Sequence, residues 1–525
     1  MNFIEEKILT KDLNNLKLRF PPEPNGHLHL GHAKSICLNF GLAEKYNRPC
    51  NLRFDDTNPS TENSIFVESI KNDIEWLGYK PNEICFTSNY FSFIYDCAIK
   101  LINKGLAYVD DSTSEEIAME KGDLNTPGKN SIYRDRTPED NLFLFENMRN
   151  STYEEGSCTL RLKIDMTSPN MILRDPVIYR INKTEHHNTK DWCIYPLYDF
   201  AHPISDYIES ISDSLCTLEF EIHRPLYNWI LENLDFEGII PEETEFARLN
   251  VSYNVMSKRK LKLLVEENHV NGWDDPRLLT LSGLKRKGYT PEAIKNFCEI
   301  VGYTKRDSLI DIKLLEECLR NDLNKKALRY MCVLNPIKLV ITNYEGSEKC
   351  IIENNPENIE DGNREVIFTR ELFIEAEDFM EVANNKYHRL KIDGEVRLKG
   401  AYIIKAEEVI KDEFGNLIEV RCTYDPTTKS GLSDRKVKGT IHWVSTEFNE
   451  KIIVNEYRNL YSEENPTSDA EINNYIISTT AIAELSIKNC AVSKAVQFMR
   501  NGYYTLDKDN TFIKTVSLKE GFKLI

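Results

Sequence analysis

The stretch Arg19-Phe-Pro-Pro-Glu-Pro-Asn-Gly-His-Leu-His-Leu-Gly-His32 decides the fold of this 525-residue chain. Residues 16–20 alternate apolar and polar side chains, which predicts a short strand. The Pro-rich segment that follows can form neither a helix nor a central strand, and the mainly apolar residues 31–46 predict a helix. A second strand at 51–54 and an amphipathic helix through 66–77 come next. This order of elements indicates a parallel α/β sheet.

The junction between the Pro-rich loop and the first of these helices is suited to bind phosphate. Free backbone N–H groups and the helix dipole attract anions there, and His29 and His32 can both donate to phosphate oxygens. Gly31 allows a nucleotide to approach the backbone closely. The P-loop and dinucleotide fingerprints are absent. Ordinary loop histidines remain an alternative, whereas zinc ligation is disfavoured because no Cys or Glu stands at a metal-ligand spacing.

A second candidate is the basic run Ser257-Lys-Arg-Lys260. A lysine in a loop that folds over phosphates can neutralise the charge that develops on a leaving pyrophosphate. Taken alone, such a run is more often a solvated surface.

The remaining chain predicts further domains. The pattern loosens between residues 100 and 191, which indicates an inserted α/β module, and the sheet is expected to resume at Trp192–Tyr195. Helical periodicity dominates 261–327, and the last third reads as all-β. Strands are predicted there at Val396–Ile410, Leu417–Tyr424 and Lys436–Val444.

The composition excludes several classes of protein. The formal net charge of −18 argues against a general nucleic-acid coat protein, although an enzyme with local basic surfaces remains possible. The chain has neither an apolar run long enough to span a membrane nor an N-terminal secretory signal. Its 13 Cys include no Cys-x-x-Cys pair, so we expect a reducing cytoplasm without a disulfide framework or a protein-bound metal.

Several stretches together resemble the glutaminyl branch of the class I aminoacyl-tRNA synthetases. His29-Leu-Gly-His32 is similar to the HIGH motif of this class, and Met256-Ser-Lys258 is similar to the core of its KMSKS loop. Val255 and Arg259 replace the first Lys and the last Ser of that loop, as is typical of this branch. More specific similarities extend over essentially the whole chain, at Arg19–Gly26, Asn51–Pro59, Cys193–Phe200, Gly272–Arg277 and Lys438–Val444.

The resemblance implies a two-step reaction. The carboxylate of glutamine attacks the α-phosphate of Mg·ATP, and the adenylate then passes its acyl group to a ribose hydroxyl of the terminal adenosine of tRNA(Gln). No covalent enzyme intermediate is needed, so catalysis rests on positioning and charge stabilisation, which the resemblance assigns to His29, His32 and Lys258. It assigns to ATP the residues Glu23, Pro24, Asn25, His29, Leu30, Gly31, His32, Ala33, Lys34, Ser35, Thr217, Arg248, Leu249, Met256, Ser257 and Lys258.

For glutamine, the resemblance assigns Arg19, Asp55, Tyr198, His202 and Cys216. Asp55 matches the carboxylate that binds the substrate ammonium, and Tyr198 matches the phenol that meets the carboxamide, to which it can both donate and accept. The nearest rival, glutamyl-tRNA synthetase, tends to carry Arg where this chain has neutral Cys216. An Arg there would face a glutamine ligand with an unpaired buried charge, at a cost of several kcal/mol. A turn cap, a half-buried strand tyrosine and a packed core cysteine are the alternatives for Asp55, Tyr198 and Cys216.

Contacts with tRNA follow from local charge and from the resemblance. Residues 256–290 hold eight Lys and Arg against four acids, and residues 381–440 hold twelve against ten, so both are more basic than the chain as a whole. Leu124 matches a loop leucine that wedges the end of the acceptor stem. Ile222 and Lys386 depart from the pattern of other members at acceptor-stem and anticodon positions. Residues at or near the anticodon-reading positions are Arg329, Arg389, Arg397, Lys399, Gln497 and Arg500.

The expected fold class is multidomain. It comprises an α/β Rossmann-like catalytic domain with an inserted α/β acceptor-stem domain, a helical subdomain and a C-terminal all-β region of two β-barrels that binds the anticodon. The predicted segments are the first catalytic half (1–99), the insertion (100–191), the second catalytic half with the KMSKS-like loop (192–260), the helical stem-contact subdomain (261–336) and the anticodon-binding barrels (337–525).

The resemblance also implies partners and leaves alternatives open. We expect a cytoplasmic monomer that uses tRNA(Gln), ATP and L-glutamine and contacts no membrane. A glutamyl-tRNA synthetase of the same subclass is one alternative, and a non-catalytic tRNA-binding relative is another. The intact His29, His32, Asp55 and Lys258 argue against the second.

Overall fold

The structure of the protein is a computed structural model that describes residues 2–61, 63–384, 386–467 and 470–519. It divides into two compact units, Met1–Asn250 with Cys298–Leu309 and Val251–Phe297 with Ile310–Ile525. Among the described residues, no helix is long and apolar enough to cross a membrane.

The first unit begins with a three-stranded parallel sheet. Its elements are α1 (Phe3–Leu9), β1 (Leu18–Phe20), α2 (Leu30–Lys45), β2 (Cys50–Phe54), α3 (Ser64–Trp76), β3 (Ile84–Phe86) and α4 (Phe91–Asn103). Strand β2 is central, with Leu18 opposite Cys50 and Leu52 opposite Ile84. Every residue of β2 is buried, as a central parallel strand covered on both faces requires. The predicted strands and helices of this region are therefore confirmed.

An antiparallel sheet with the strand order β4-β5-β6-β7 follows in the chain. This region contains β4 (Ala107–Asp110), α5 (Ser114–Lys121), α6 (Pro138–Arg149), β5 (Thr159–Leu162), β6 (Val177–Ile181) and β7 (Ile194–Pro196). The prediction that the parallel sheet resumes at Trp192–Tyr195 was wrong, because Ile194 pairs with Ile181 of the antiparallel sheet. A short apolar run predicts a strand but carries no information about its distant partner.

The parallel part continues with α7 (Tyr198–Ile208), β8 (Asp213–Thr217), α8 (Arg224–Asn233) and β9 (Glu242–Phe246). Strands β8 and β9 pair in parallel, and the Ser212 amide donates to the Lys17 carbonyl at 3.0 Å, which places β8 beside β1. Strand β1 therefore has β2 on one side and β8 on the other. The direction in which successive strands are added to the sheet changes at β1. In open parallel sheets, ligands bind outside the carboxyl ends of the strands at such a switch point.

The second unit joins helices to an extensive β region. After β10 (Asn250–Val251), the chain forms α9 (Lys258–Glu266), α10 (Leu281–Arg286), α11 (Pro291–Val301), β11 (Leu309–Ile310) and α12 (Ile312–Lys326). Of these residues, Cys298–Leu309 belong to the first unit. Leu261 and Leu264 of α9 form a buried cluster with Val270, Leu460 and Tyr461.

The β region contains two seven-stranded sheets with the orders β12-β27-β28-β29-β25-β26-β13 and β23-β20-β21-β22-β14-β17-β24. The strands of this region are β12 (Arg329–Tyr330), β13 (Cys332–Val333), β14 (Pro336–Ile341), β15 (Ser347–Glu353), β16 (Asn363–Thr369), β17 (Glu371–Glu375), β18 (Phe379–Met380), β19 (Leu390–Lys391), β20 (Glu395–Leu398), β21 (Ile403–Lys411), β22 (Leu417–Tyr424), β23 (Thr440–Ile441), β24 (Val444–Ser445), β25 (Asn449–Tyr457), β26 (Ile476–Glu484), β27 (Ala495–Phe498), β28 (Gly502–Lys508) and β29 (Thr511–Ser517). The all-β prediction for the last third is confirmed.

The β region corrects two details of the prediction. The predicted strand Val396–Ile410 is two strands, β20 and β21, because the chain turns at Gly400 with a φ of 71°. The predicted strand Lys436–Val444 contains only the short β23 and the first residue of β24. Helix α12 ends at Lys326, in agreement with the predicted helical periodicity to residue 327, and residues 329–333 pair with strands β27 and β26. The bounds of the predicted stem-contact subdomain (261–336) stay a prediction.

Candidate active site

His29 and His32 cap the first turn of helix α2 reciprocally. The Nδ1 of His29, the N-cap residue, accepts a hydrogen bond from the Gly31 amide at 3.1 Å. The Nδ1 of His32 accepts from the His29 amide at 3.1 Å, and the two ring centroids lie 3.8 Å apart. Because an Nδ1 that accepts from an amide carries no proton, each neutral ring has its N–H at Nε2. The cap thus sets two imidazole donors side by side at a helix N-terminus, where the dipole favours an anion.

Three residues assigned to ATP place their side chains in the core. Leu30, Ala33 and Lys34 are all buried on the inner side of α2. The Lys34 ammonium donates to the Ala247 carbonyl at 3.1 Å and lies 5.5 Å from the ring centroid of Tyr303, and burial lowers its pKa. Lys34 therefore links α2 to the segment after β9, and direct contact of its side chain with ATP stays a prediction.

The other ATP-assigned residues of this unit lie at the carboxyl edge of the parallel strands or in the first turns of α2. They are Glu23, Pro24 and Asn25 after β1, Gly31 and Ser35 in α2, Thr217 at the end of β8, and Arg248 and Leu249 after β9. The Asn25 Nδ2 donates to the Glu23 Oε2 at 2.5 Å, while the Asn25 Oδ1 is buried without a hydrogen-bond partner among the described residues. The fold brings these segments to one edge, and their contacts with ATP stay a prediction.

Asp55 holds one carboxylate oxygen without a partner just after β2. Its Oδ1 accepts from the Arg53 Nε at 2.9 Å and from the Thr87 Oγ1 at 2.9 Å. Its Oδ2 is buried and has no hydrogen-bond partner within the described part of the chain. An unsatisfied buried acceptor is costly, and a ligand that donates to it removes that cost. This arrangement fits a carboxylate that receives an ammonium group.

A buried carboxylate that sequence analysis missed, Asp206 of α7, lies at the centre of the site. Its Oδ1 accepts from the Arg19 Nε at 3.0 Å and from the Arg53 Nη1 at 2.7 Å. Its Oδ2 accepts from the Tyr227 hydroxyl at 2.9 Å and lies 3.1 Å from the His202 Nε2. Burial alone would raise the pKa of Asp206, but Arg19 and Arg53 hold it well below its usual range. The one sequence signal was its spacing of four residues from His202, which places both on one helix face.

The charge of Arg19 is taken up by protein groups. Besides Asp206, its buried guanidinium donates to the Leu215 carbonyl at 3.2 Å and to the Ser214 hydroxyl, and it lies 3.6 Å from the Cys216 Sγ. Burial raises the pKa of Cys216 to about 12, so the thiol stays neutral. Direct contact of Arg19 with glutamine stays a prediction, because the N–H groups of Arg19 already donate to groups of the protein.

Tyr198 and His202 complete the glutamine set. Their ring centroids lie 5.0 Å apart, and the His202 Nε2 is 2.7 Å from the Arg19 Nη2. Burial raises the pKa of Tyr198 well above its usual value, and nearby Cys216 and Asp55 add to the shift. The phenol therefore stays protonated and can both donate and accept. The structure thus brings together all five residues that the resemblance assigned to glutamine.

The KMSKS-like residues belong to the second unit. Ser257 is the N-cap of α9, and Lys258 is its first residue. Val255 is buried beside Leu261 and Leu264, which anchors the loop to the helix that follows it. The roles of Met256, Ser257 and Lys258 toward ATP stay a prediction.

Four of the six predicted anticodon residues line one cavity of about 230 Å³ in the second unit, namely Arg329, Lys399, Gln497 and Arg500. Gln497 is buried, and its Nε2 donates to the Tyr503 hydroxyl at 3.1 Å. Arg500 forms a bidentate pair with the buried Asp378, with contacts of 2.5 and 2.6 Å. A planar, fixed guanidinium at a cavity wall is suited to read the edge of a base.

The other residues assigned to tRNA differ in exposure. Arg389 is exposed and lies 3.3 Å from the Asp378 Oδ1, beside Arg500. Arg397 is engaged within its own β region, where it donates to the carbonyls of Thr428 at 2.6 Å and Arg435 at 2.8 Å. The contact of Arg397 with the anticodon stays a prediction. Leu124 is 83% exposed, as an apolar wedge would have to be, and Ile222 and Lys386 are exposed as well.

Comparison with known proteins defines the class of protein to which these features belong. The catalytic-domain model of the class I tRNA synthetases (E and Q) matches residues 15–325, and two anticodon-binding-domain models of the same group match residues 327–425 and 440–507. The chain therefore belongs to the class I tRNA synthetases of the E and Q group.

Curated relatives that are similar over the whole chain are named glutamine–tRNA ligases. A glutamine–tRNA ligase of Clostridium kluyveri is 50% identical, with 100% of this chain and 97% of the relative covered. A glutamine–tRNA ligase of Clostridium perfringens is 51% identical over 100% of this chain and 98% of the relative. One of Escherichia coli is 50% identical over 99% of this chain and 97% of the relative.

Proposed function

We propose that this chain, an aminoacyl-tRNA ligase, activates L-glutamine with ATP and transfers the glutaminyl group to the terminal ribose of tRNA(Gln). Relatives that carry the name glutamine–tRNA ligase match it along its whole length. Within the site, the observation that carries the choice of glutamine is the neutral wall around Cys216. Its thiol is uncharged, and the charge of neighbouring Arg19 is taken up by Asp206.

The glutamine ligand would use groups that the protein leaves available. Its ammonium donates to the Oδ2 of Asp55, which has no hydrogen-bond partner in the described chain. Its carboxamide meets the protonated phenol of Tyr198, which serves as donor to the amide oxygen or acceptor from the amide N–H. A glutamate carboxylate in the same place would be desolvated without a dedicated cation, which is costly. The site therefore favours glutamine over glutamate, because it offers no dedicated cation to a side-chain carboxylate.

The chemistry needs positioned charge rather than a nucleophile on the enzyme. The carboxylate of glutamine attacks the α-phosphorus of Mg·ATP, and the bond to pyrophosphate breaks. The Nε2–H groups of His29 and His32 donate to the phosphoryl oxygens as negative charge develops. By resemblance, Lys258 neutralises the leaving pyrophosphate. Because the reciprocal cap holds both rings before substrate binds, little reorganisation accompanies the reaction.

The tRNA would engage both units of the chain. The exposed Leu124 is available to wedge the last pair of the acceptor stem, and the cavity lined by Arg329, Lys399, Gln497 and Arg500 has the size and the donors to hold one anticodon base. We further expect a cytoplasmic monomer, as the family resemblance implies.

Aminoacylation with glutamine and glutamate side by side tests this function. Purified tRNA(Gln) and tRNA(Glu) are each offered both amino acids with ATP, and the charged product is identified by mass. We expect glutaminyl-tRNA(Gln) as the main product. Transfer of glutamate to either tRNA with no transfer of glutamine would refute the proposal.

Replacement of Lys258 tests the assignment of the basic loop. Lys258→Ala should slow adenylate formation, measured by pyrophosphate exchange at saturating tRNA, far more than it weakens tRNA binding, because the charge acts on pyrophosphate. Lys262→Ala, one turn further along α9, is the matched control for loss of a basic side chain. Equal losses of exchange and tRNA binding in Lys258→Ala would contradict the assigned role.

A further inference from the structure

The segment between β6 and β7 folds back onto the turn that follows β2. Within this segment, His186 is buried, and its Nε2 lies 2.7 Å from the backbone carbonyl oxygen of Asp56, the residue after Asp55. Its Nδ1 accepts from the amides of Asn188 at 3.1 Å and Thr189 at 3.2 Å. Since Nδ1 is an acceptor, Nε2 carries the proton and donates to the Asp56 carbonyl. Burial lowers the pKa of His186 to about 4, which keeps this neutral tautomer.

Ser88 holds the side chain of Asp56, and the same segment contacts Ser88 through Asn188. The carboxylate of Asp56 accepts from the Ser88 amide at 2.8 Å and from the Ser88 hydroxyl at 2.6 Å. Asn188 in turn donates from its Nδ2 to the Ser88 Oγ at 2.8 Å. The residue before Ser88, Thr87, donates to the Oδ1 of Asp55 at 2.9 Å. Two consecutive carboxylates are therefore held by two consecutive residues, and the segment with His186 closes over this contact.

We propose that His186, assisted by Asn188, is a positioning residue that fixes the carboxylate of Asp55 for the ammonium of the amino-acid substrate. The inference rests on the proposed role of Asp55. Nothing in the sequence signals it, because His186 is separated from Asp56 by 130 residues. The bond from His186 restrains the backbone of Asp56, the residue directly after Asp55, through the carbonyl of the Asp56–Thr57 peptide. The direction of the Asp55 side chain follows from the position of this adjoining backbone. A charge-assisted hydrogen bond depends on its distance and angle, so a carboxylate that turns away from the ammonium binds it less strongly.

A metal site is the competing interpretation of this cluster. Ligand atoms of Asp56, His186 and His187 all lie within 4.8 Å of one another, and burial raises the pKa of Asp56 to about 7. A metal ion would need a lone pair on His186, however, and its Nδ1 accepts from two amides while its Nε2 donates to a carbonyl. His187, 3.4 Å from the Asp56 Oδ2, is the remaining imidazole. The hydrogen bonds therefore favour positioning over metal ligation.

Steady-state aminoacylation by the full-length chain tests the proposal. His186→Ala should raise the KM for glutamine about tenfold, the equivalent of one lost hydrogen bond of about 1.4 kcal/mol, and leave the KM for ATP within twofold. The glutamine kcat should change less than KM, because the ammonium contact is made in both ground and transition states. His186→Gln, whose amide N–H can still donate to the Asp56 carbonyl, should restore most of the affinity. Asn188→Ala, on the exposed side of the segment, should give a smaller rise in the same KM.

Two further variants make the outcomes distinguishable. Tyr195→Phe removes hydroxyl bonds to the Thr184 and Trp192 carbonyls, which loosens the same segment without touching Asp56, and should leave the KM for glutamine nearly unchanged. Asp55→Asn tests the function on which the inference rests. A raised glutamine KM in Asp55→Asn but not in His186→Ala or Asn188→Ala would overturn the inference alone, whereas an unchanged KM in Asp55→Asn would refute the ammonium site itself. A stoichiometric metal that copurifies with the unaltered chain and is lost in His186→Ala would also overturn the positioning role.

Discussion

Replacement of Asp206 by Asn should destabilise the first unit strongly. Asp206 is the shared partner of the Arg19 and Arg53 guanidinium groups, both of which have fully buried side chains. Asn is close to isosteric, so the change removes charge and one acceptor with little loss of volume. It also turns an amide N–H toward groups that are themselves donors, including the Tyr227 hydroxyl at 2.9 Å. Asp55 and Glu209, which contact Arg53, cannot replace these contacts without moving.

The size of the effect follows from the burial of the pair. Breaking a buried ion pair by removing one partner costs about 3–5 kcal/mol, because the other charge stays buried. With a urea dependence of about 3 kcal/mol per M, the midpoint of the first unit should fall by about 1–1.7 M. Since the folded pKa of Asp206 lies below its unfolded value, its contribution is present above the unfolded pKa and is lost only as pH falls through the folded pKa. The difference between the two proteins should therefore be undiminished from pH 6 to 8.

Hydrogen exchange in a urea series, followed in peptides from α7 and α8, measures this midpoint for the first unit. Asp199→Asn is the matched control, because Asp199 lies on the same helix but is partly exposed and pairs with His223 at 2.8 Å. The control should shift the free energy of unfolding by less than about 1 kcal/mol. A shift for Asp206→Asn no larger than that of the control would refute the view that Asp206 neutralises the two arginines.

Three further predictions concern separate parts of the chain. Cys216→Arg places a second guanidinium beside Arg19 and should lower kcat/KM for glutamine at least about 100-fold, about 2.7 kcal/mol, with the KM for tRNA unchanged in aminoacylation assays. Asp378→Asn releases the guanidinium of Arg500 and should raise the KM for tRNA about tenfold while the glutamine KM stays constant; a change in glutamine KM alone would contradict the anticodon role. Burial raises the pKa of Glu243 to about 8, so its contribution to stability is fully present below its unfolded pKa and is lost as pH rises through 8. Glu243→Gln should therefore unfold at a higher urea concentration than the unaltered chain at pH 8 and at a nearly equal concentration at pH 5. A lower urea midpoint for Glu243→Gln at pH 8 would refute the raised pKa of Glu243.

The sequence correctly predicted helices and strands whose pattern of apolar and polar residues lies within the element itself. The alternation at 16–20, the helix after Gly31 and the strand that ends before Asp55 were all found at the expected positions. The strand near Trp192 was also predicted, but its partner was wrong, because pairing depends on a distant strand rather than on the run itself. Arg397 matched the family pattern, yet the structure shows it bonded to nearby carbonyls, which no one-dimensional pattern reports.

The sequence by itself determined the class of enzyme, and it predicted where phosphate and glutamine bind. The class and the glutamine residues follow from the family resemblance, whereas the phosphate site is also predicted from residue types at a short spacing, such as His29 and His32 at one helix turn. The tertiary structure decided which groups are charged, which nitrogen of each imidazole carries the proton and which oxygen of Asp55 has no partner among the described residues. Those properties depend on atoms brought within about 3 Å from far apart in the chain, as Arg19 and Asp206 are. The charge and protonation state of a side chain therefore depend on the groups that surround it in the folded protein.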